Sequence, residues 1–220
     1  MTLTQVTVLN WDKTITTLPP YSLVSGGFTN YRTMQESNTR QVQRSYLIDA
    51  DSVVEATDDM LDEFAKIPLI SDWIAKKRAQ QAAGKVENVM NSEGLVDGTI
   101  ETNLGVFRAY LTLYLMNNPH VDTKNADGLS YLFVTTLQQT NAGIPLQLYF
   151  FTNTSAWIAY EGIMASIYEH IAMMMAKFRL YTFEYPTGRD TLIEGDLSPG
   201  KTPDAVFGLP DGIFRNQSSD

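Results

Sequence analysis

The sequence contains no cysteine, which excludes disulfide bridges and thiolate metal sites. It contains only two histidines, His120 and His170, so a histidine-rich metal centre is not expected. Neither histidine has a nucleophile with a recognisable signature beside it, and we interpret both as surface or packing residues. The chain also lacks a phosphate-loop or dinucleotide-binding glycine pattern. We therefore expect no cofactor and no enzymatic reaction.

Positive charge and long apolar runs are scarce as well. The 16 Lys and Arg residues are outnumbered by 25 Asp and Glu residues, which gives a net charge of −9 and disfavours a nucleic-acid partner. The longest largely apolar stretch, 156–176, is interrupted by Glu161, Glu169 and His170. Because charges at bilayer depth are costly, we expect this stretch to be a helix of a water-exposed domain and not a membrane span.

Apolar residues make up 44% of the chain and charged residues 19%, as is typical of a folded globular protein. The first part of the chain has the pattern of a β-hairpin. Residues 4–9 alternate between apolar and polar, and residues 14–18 are rich in β-branched side chains, with a turn over 10–13. Pro19 and Pro20 end the second strand, and we expect one helical turn over 21–25 and a short strand over 28–31.

From Gln41 onward the pattern alternates between strands and helices. The predicted strands are 41–50, 131–137, 146–151 and 179–185, and the predicted helices are 53–67, 104–117 and 156–178, with a further helical stretch starting near Ile70. The predicted helix caps are Asp51 or Ser52, Asn103, and Ser155, and Pro68 is expected to end the first helix. The last helix has an apolar stripe at three- and four-residue spacing, formed by Trp157, Tyr160, Met164, Ile167, Ile171, Met174 and Phe178. This order, with helices inserted over about 68–118, predicts an α+β fold with a ferredoxin-like βαββαβ unit.

Four carboxylates are predicted to share one solvent face of the helix 53–67: Glu55, Asp58, Asp59 and Asp62. The favoured interpretation is an ordinary solvated helix face. A paired-carboxylate acid/base site, as in a hydrolase, and a cation site remain alternatives, although the spacing does not match a glycine-centred calcium loop.

Two separated blocks of sequence carry a resemblance to a known family. The first lies within 10–49 and contains Asn10-Trp11-Asp12-Lys13-Thr14-Ile15, Leu18-Pro19-Pro20-Tyr21-Ser22-Leu23, Phe28-Thr29-Asn30-Tyr31-Arg32 and Arg44-Ser45-Tyr46-Leu47-Ile48-Asp49. The second contains Thr102-Asn103-Leu104-Gly105, Gly143-Ile144-Pro145-Leu146, Phe151-Thr152-Asn153-Thr154 and Pro186-Thr187-Gly188. Together they resemble the cytosolic region of the small-conductance mechanosensitive channel superfamily, and most of all its miniconductance branch.

The resemblance implies a domain organisation and a function. It implies that 1–40 is part of a small Sm/SH3-like β-domain whose first strand is missing, that 41–186 is a ferredoxin-like vestibule domain, and that 187–220 is a Gly/Pro-rich C-terminal tail. The expected function is the cytosolic vestibule of a tension-gated ion channel, which assembles with its own subunits as a ring, a heptamer in this family. The intact protein is then expected to be a multi-pass protein of the bacterial inner membrane. This chain would be its cytoplasmic part, with no nucleic acid or small-molecule substrate as partner.

Trp11 and Asp12 lie in the predicted hairpin turn and have two interpretations of equal weight. They either cover and tie the turn of the β-domain or contact a neighbouring subunit. If Glu55, Asp58, Asp59 and Asp62 line a vestibule, they enrich cations there. The alternative function is a free-standing oligomeric module that binds a ligand between ferredoxin-like units.

Overall fold

The computed structural model describes residues 5–10, 12–27, 32–85, 90, 95–123 and 132–184. Its elements, in order, are β1 (Val6–Leu9), β2 (Ile15–Leu18), α1 (Arg32–Glu36), β3 (Arg40–Ile48), α2 (Asp58–Phe64), α3 (Pro68–Ala82), α4 (Asn103–Met116), β4 (Val121–Asp122), β5 (Phe133–Thr136), β6 (Ile144–Thr152) and α5 (Trp157–Lys177). Short 3₁₀ turns lie at Pro20–Leu23 and Ala50–Ser52. The chain is therefore a mixed α+β protein with a two-stranded sheet and a four-stranded sheet.

The predicted N-terminal hairpin is confirmed. β1 and β2 pair antiparallel in a register that runs from Val6 opposite Leu18 to Leu9 opposite Ile15. The Asn10 amide donates to the Thr14 carbonyl and closes the turn at 2.8 Å. The predicted strand over 28–31 lies outside the described residues, and the short helix α1 that follows was not predicted.

The larger sheet is built around β6. β3 pairs antiparallel with one side of β6 over nine positions, from Arg40 opposite Thr152 to Ile48 opposite Ile144. β5 and β4 both pair antiparallel with its other side. Thr182 bridges Ile48 on the outer side of β3, also antiparallel. Within the described residues, this single bridge is what the structure shows of the strand predicted over 179–185. The order across the sheet is the Thr182 segment, β3, β6, and then β5 with β4.

Side chains alternate across β6 as the period of a strand requires. Leu146, Leu148 and Phe150 are buried, whereas Gln147 and Tyr149 between them are partly exposed. The buried side packs with the inner faces of α4 and α5, where Phe178 contacts the rings of Phe107, Tyr110 and Phe64 at centroid distances of 4.8–5.2 Å. These residues belong to one continuous apolar core.

The first predicted helix of the larger domain begins later than the sequence suggested. α2 starts at Asp58, and its cap is Thr57, whose Oγ1 accepts a hydrogen bond from the Met60 amide at 3.4 Å. Neither Asp51 nor Ser52 caps α2. The residues before Thr57 are extended because the Val54 amide donates to the side chain of Asn103 at 3.0 Å. A partner 49 residues away thus overrides the local helical spacing.

Two further predicted boundaries were wrong for identifiable reasons. Pro68 begins α3 instead of simply ending the previous helix, since its missing amide is tolerated in the first turn. Thr102 caps α4, with Oγ1 accepting from the Gly105 amide at 3.0 Å, whereas the predicted cap Asn103 is fully buried.

The last helix spans nearly the predicted range, but its first turn differs. Ser155 does not cap it and instead bonds the side chain of Asn38. Trp157 does not join the buried stripe, since it is 49% exposed and its Nε1 donates to Glu161 at 3.0 Å. The other six members of the stripe are buried. The predicted tail, 187–220, lies outside the described residues.

Within the described ranges, none of the helices combines the length and the apolar character that a bilayer crossing requires.

Candidate functional site

The four predicted acidic residues do not share one helix face. Glu55 precedes α2 and bridges Thr102 in an extended segment, whereas Asp58, Asp59 and Asp62 lie on the helix. All four are exposed to solvent, as predicted. The expectation of a single helical face was wrong because the helix begins only at Asp58.

Part of the acidic charge is neutralised by a cation that the sequence prediction did not include. Arg78 of α3 donates from Nη1 to Asp62 Oδ1 at 2.6 Å and from Nη2 to the Asp58 carbonyl at 2.9 Å, and its Nη2 also lies 3.5 Å from Asp58 Oδ1. Asp58 and Asp62 are one helical turn apart, which places both within reach of one guanidinium. Among the described residues, Glu55 and Asp59 have no such cation. The net field of this surface is therefore weaker than the sequence suggested.

A groove lies beside Glu55, between the segment before α2 and the loop before α4. Its volume is about 820 Å³, and its apolar lining includes Val53, Leu61 and Ile100. Glu55, Asp58 and Glu101 add three carboxylates to its walls. The sequence analysis named Glu55 and Asp58 as members of an acidic set. It did not include Glu101, which is distant in sequence and reaches the groove only through the fold.

A second charged cluster is buried and has the geometry of a structural element. Lys77 is 4% exposed, and its Nζ lies 2.9 Å from Asp97 Oδ2. The other oxygen, Asp97 Oδ1, accepts from Trp73 Nε1 and from the Gly98 amide, each at 2.9 Å. Arg108 donates to the Asp97 carbonyl at 3.1 Å. Three of these donors, from Lys77, Trp73 and the Gly98 amide, meet at the Asp97 carboxylate and satisfy the hydrogen bonds that a largely buried charge requires, whereas Arg108 holds the Asp97 backbone.

A buried amide joins three parts of the fold. Asn103 Oδ1 accepts from the amides of Val54 and Leu104 at 3.0 and 2.9 Å. Its Nδ2 donates to the carbonyls of Ser52 and Phe178 at 2.9 and 3.1 Å. Asn103 thus fixes the segment after β3, the start of α4 and the end of α5 relative to one another.

His170 lies on α5 and packs against the aromatic side chains of α4. Its Nε2 lies 2.7 Å from the Tyr110 hydroxyl, and its ring stacks on Tyr114 with centroids 3.9 Å apart. Burial lowers the pKa of His170 from its ordinary value, and the charge of Lys177 lowers it further. Burial raises the pKa of Tyr110 to about 12, so its hydroxyl stays protonated at neutral pH.

Asp12, one of the two residues predicted to contact a neighbouring subunit, lies in the turn of the hairpin. Asp12 Oδ1 accepts from the Thr14 hydroxyl at 2.7 Å and from the Thr14 amide at 2.9 Å. These bonds hold the pKa of Asp12 below its ordinary value. Asp12 therefore ties the turn, and its predicted subunit contact stays a prediction. Trp11 lies outside the described residues.

The segment 5–27 presents apolar side chains to solvent. Leu9 is 73% exposed and Val24 is 81% exposed, and Ile15 and Tyr21 are exposed to a similar degree. Among the residues of this segment that the structure describes, Val6 is the one buried apolar side chain. A two-stranded hairpin by itself is marginal in water, and this one exposes most of its described apolar side chains.

Within the described residues, no group of three or more His, Asp or Glu side chains is placed to hold a metal ion. No family model matches the chain.

Proposed function

We propose that this chain is the cytosolic vestibule region of a tension-gated mechanosensitive ion channel of the miniconductance type. The observation that carries the proposal is the exposed apolar surface of the segment 5–27. A hairpin that packs on little of the described part of its own chain fits a β-domain whose remaining strands and neighbours come from elsewhere in an assembly. Subunits arranged as a ring, a heptamer by resemblance, would supply those neighbours.

The sheet order supports the ferredoxin-like part of the proposal. In a βαββαβ unit with two crossing helices, the first strand lies between the third and the fourth, and the second strand lies outside the third. β3, β5, β6 and the Thr182 segment occupy these positions in order, and every pairing is antiparallel. The unit needs one helix between its first two strands, so β4 and two of the three helices α2 to α4 are then additions to it. We assign the hairpin to an Sm/SH3-like β-domain on the sequence resemblance.

The proposal assigns no chemistry to this region. Its role is to hold subunits together and to shape the route by which ions reach a pore formed elsewhere in the protein. The acidic surface around Glu55 and Asp59 would enrich cations on that route.

The decisive experiment records ionic currents from stretched membrane patches. The full gene is expressed in a bacterial strain that lacks its own mechanosensitive channels, and membrane patches are stretched by suction. We expect currents that appear only above a threshold tension, together with improved survival of hypo-osmotic shock. A full gene that encodes no apolar spans of about 20 residues would refute the channel. That result would favour the free-standing binding module, with the groove beside Glu55 as the first place to seek a ligand.

The acidic surface gives a second test within the same assay. Reversing Glu55 and Asp59 to lysine should lower the cation preference of the open channel, because both carboxylates are exposed and lack a described ion-pair partner. Reversing Asp72 and Glu184 to lysine is the control, since it changes the net charge by the same amount at two exposed carboxylates that do not line the groove. If the variant with both lysines keeps the reversal potential of the wild-type channel, Glu55 and Asp59 do not lie along the permeation route.

A further inference from the structure

A pocket opens between the start of β3 and the start of α5. Its volume is about 440 Å³, which lies within the range of about 300–1,000 Å³ that small-molecule sites occupy. Arg40, the first residue of β3, and Tyr160, near the start of α5, line it together with Met34 and Gln35 of α1. This pocket is separate from the groove beside Glu55, since the two share no lining residue.

Hydrogen bonds fix the parts of the chain that surround the pocket. Asn38, in the turn between α1 and β3, accepts from the amide and the hydroxyl of Ser155 at 3.2 and 3.1 Å. The side-chain amide of Asn38 donates to the Asn153 carbonyl at 3.3 Å. Arg40 itself is paired with Thr152 of β6. The walls of the pocket are therefore positioned by the fold before any ligand enters.

The Arg40 guanidinium is held in place without an anionic partner. Its central carbon lies 4.4 Å from the centroid of the Tyr160 ring, and Tyr160 is itself buried. Stacking on a ring leaves the in-plane N–H donors of a guanidinium free. In the part of the chain that the structure describes, the Arg40 side chain forms no ion pair and donates no hydrogen bond. Its charge is therefore available to a ligand in the pocket.

The carboxylates of the two bordering helices are engaged elsewhere. Glu36, the acidic residue of α1, pairs with Arg32 at 2.7 Å. Glu161, the first acidic residue of α5, accepts from Trp157 Nε1 at 3.0 Å. Among the described residues, no side chain caps the first turn of this 21-residue helix, so its positive end lies beside the pocket without a capping oxygen. The free guanidinium and the uncapped helix start both favour a bound anion.

We propose that this pocket binds the phosphate group of a small phosphate monoester. A guanidinium presents two parallel N–H donors, which match two oxygens of a phosphate. Gln35 and Thr39 add polar side chains to the lining, and Met34 offers an apolar contact to the body of the ligand. A phosphate dianion gains more than a carboxylate from the combined field of Arg40 and the helix start. The pocket lies within one chain, so this proposal does not depend on the channel.

The test is a titration of the 220-residue chain with glycerol 3-phosphate at constant ionic strength. NMR follows the backbone amides and the Nε–H resonances of the arginine side chains, and the Arg40 resonance is identified by its loss in Arg40→Gln. We expect a saturable shift of the Arg40 resonance, competition by inorganic phosphate, and no shift with glycerol. The absence of a saturable shift, or equally tight binding of acetate, would overturn the proposal.

Three variants that each lower the net charge by one separate a built site from a diffuse charge effect. Arg40→Gln removes the guanidinium, and Gln35→Glu places a carboxylate in the lining at an exposed helix position, where it should leave the thermal midpoint unchanged. Each should raise the dissociation constant about tenfold or more. Arg44→Gln is the control, because Arg44 lies over Tyr168 on the same strand and does not line the pocket, and it should change the constant less than about twofold. Equal effects of all three variants would overturn the proposal.

Vesicles distinguish a free phosphate monoester from a lipid headgroup. Co-sedimentation with phosphatidylcholine vesicles that contain phosphatidic acid, lost in Arg40→Gln and kept in Arg44→Gln, would assign the phosphate to a lipid. Binding of glycerol 3-phosphate without co-sedimentation would assign it to a small dissolved ligand. Binding of neither would remove the phosphate site and leave the channel proposal to the current recordings.

Discussion

Replacing Asn103 by alanine tests the account of how the helices are fixed to the sheet. The variant removes the four shorter hydrogen bonds of this side chain, which join it to Val54, Leu104, Ser52 and Phe178, and a longer one of 3.5 Å to the Arg179 carbonyl. The bonds to Leu104 and Phe178 are buried, whereas the other two are partly accessible. A buried polar group left without a partner costs about 1–3 kcal/mol, and water can replace the accessible bonds. We therefore expect Asn103→Ala to lower the free energy of unfolding by about 2–4 kcal/mol.

Urea denaturation followed by circular dichroism measures this free energy. Asn117→Ala is the matched control, since Asn117 lies just beyond the end of the same helix and its amide donates to the Leu113 carbonyl at an exposed position. We expect the control to change stability by less than about 0.5 kcal/mol. A loss below about 0.5 kcal/mol for Asn103→Ala would refute the view that this side chain joins three parts of the fold.

A second substitution at the same position separates shape from hydrogen bonding. Asn103→Asp keeps the size of the side chain and the acceptor, but it points a carboxylate oxygen at the carbonyls of Ser52 and Phe178. The pKa of the new carboxyl should rise in the folded state above its ordinary value of about 3.9, because only the protonated form can donate to those carbonyls. With a raised folded pKa, stability is greatest below the unfolded pKa and is lost as the pH rises through the folded pKa. A flat dependence on pH would contradict the assigned geometry.

Three further predictions follow from the buried clusters. Lys77→Met removes the ion-pair partner of Asp97, whose side chain is 11% exposed and keeps its bonds to Trp73 and Gly98, so we expect a loss of about 1–3 kcal/mol in urea denaturation, and a loss below about 0.5 kcal/mol would contradict the ion pair. The lowered pKa of His170 means that the unfolded chain binds a proton more readily than the folded chain below about pH 6.5, so stability should fall as the pH drops through this range. His170→Gln should remove this component of the pH profile, and an unaltered slope would contradict it. Phe150→Ala should lower the free energy of unfolding by about 3–5 kcal/mol because the side chain is fully buried. Trp157→Ala should lower it by less than about 1 kcal/mol because Trp157 is 49% exposed. Equal losses for the two variants would contradict the burial assigned to these residues.

The strands and the long helix were predictable because their signals are local. Alternation along β3 and β6 marks the buried side of each strand, and the spacing of Tyr160, Met164 and Ile167 marks the inner face of α5. Trp157 fits the same spacing but lies in the first turn. Periodicity indicates the direction of a side chain, but it does not show whether another element covers that turn.

The errors at the predicted sites share a cause, since each depends on a partner distant in sequence. The segment before α2 stays extended because Asn103 accepts from the Val54 amide. The charge of Asp58 and Asp62 is reduced by Arg78, which lies one helix further along the chain. Spacing rules describe neighbours along one element, so they find the carboxylates but not the cation that pairs with them.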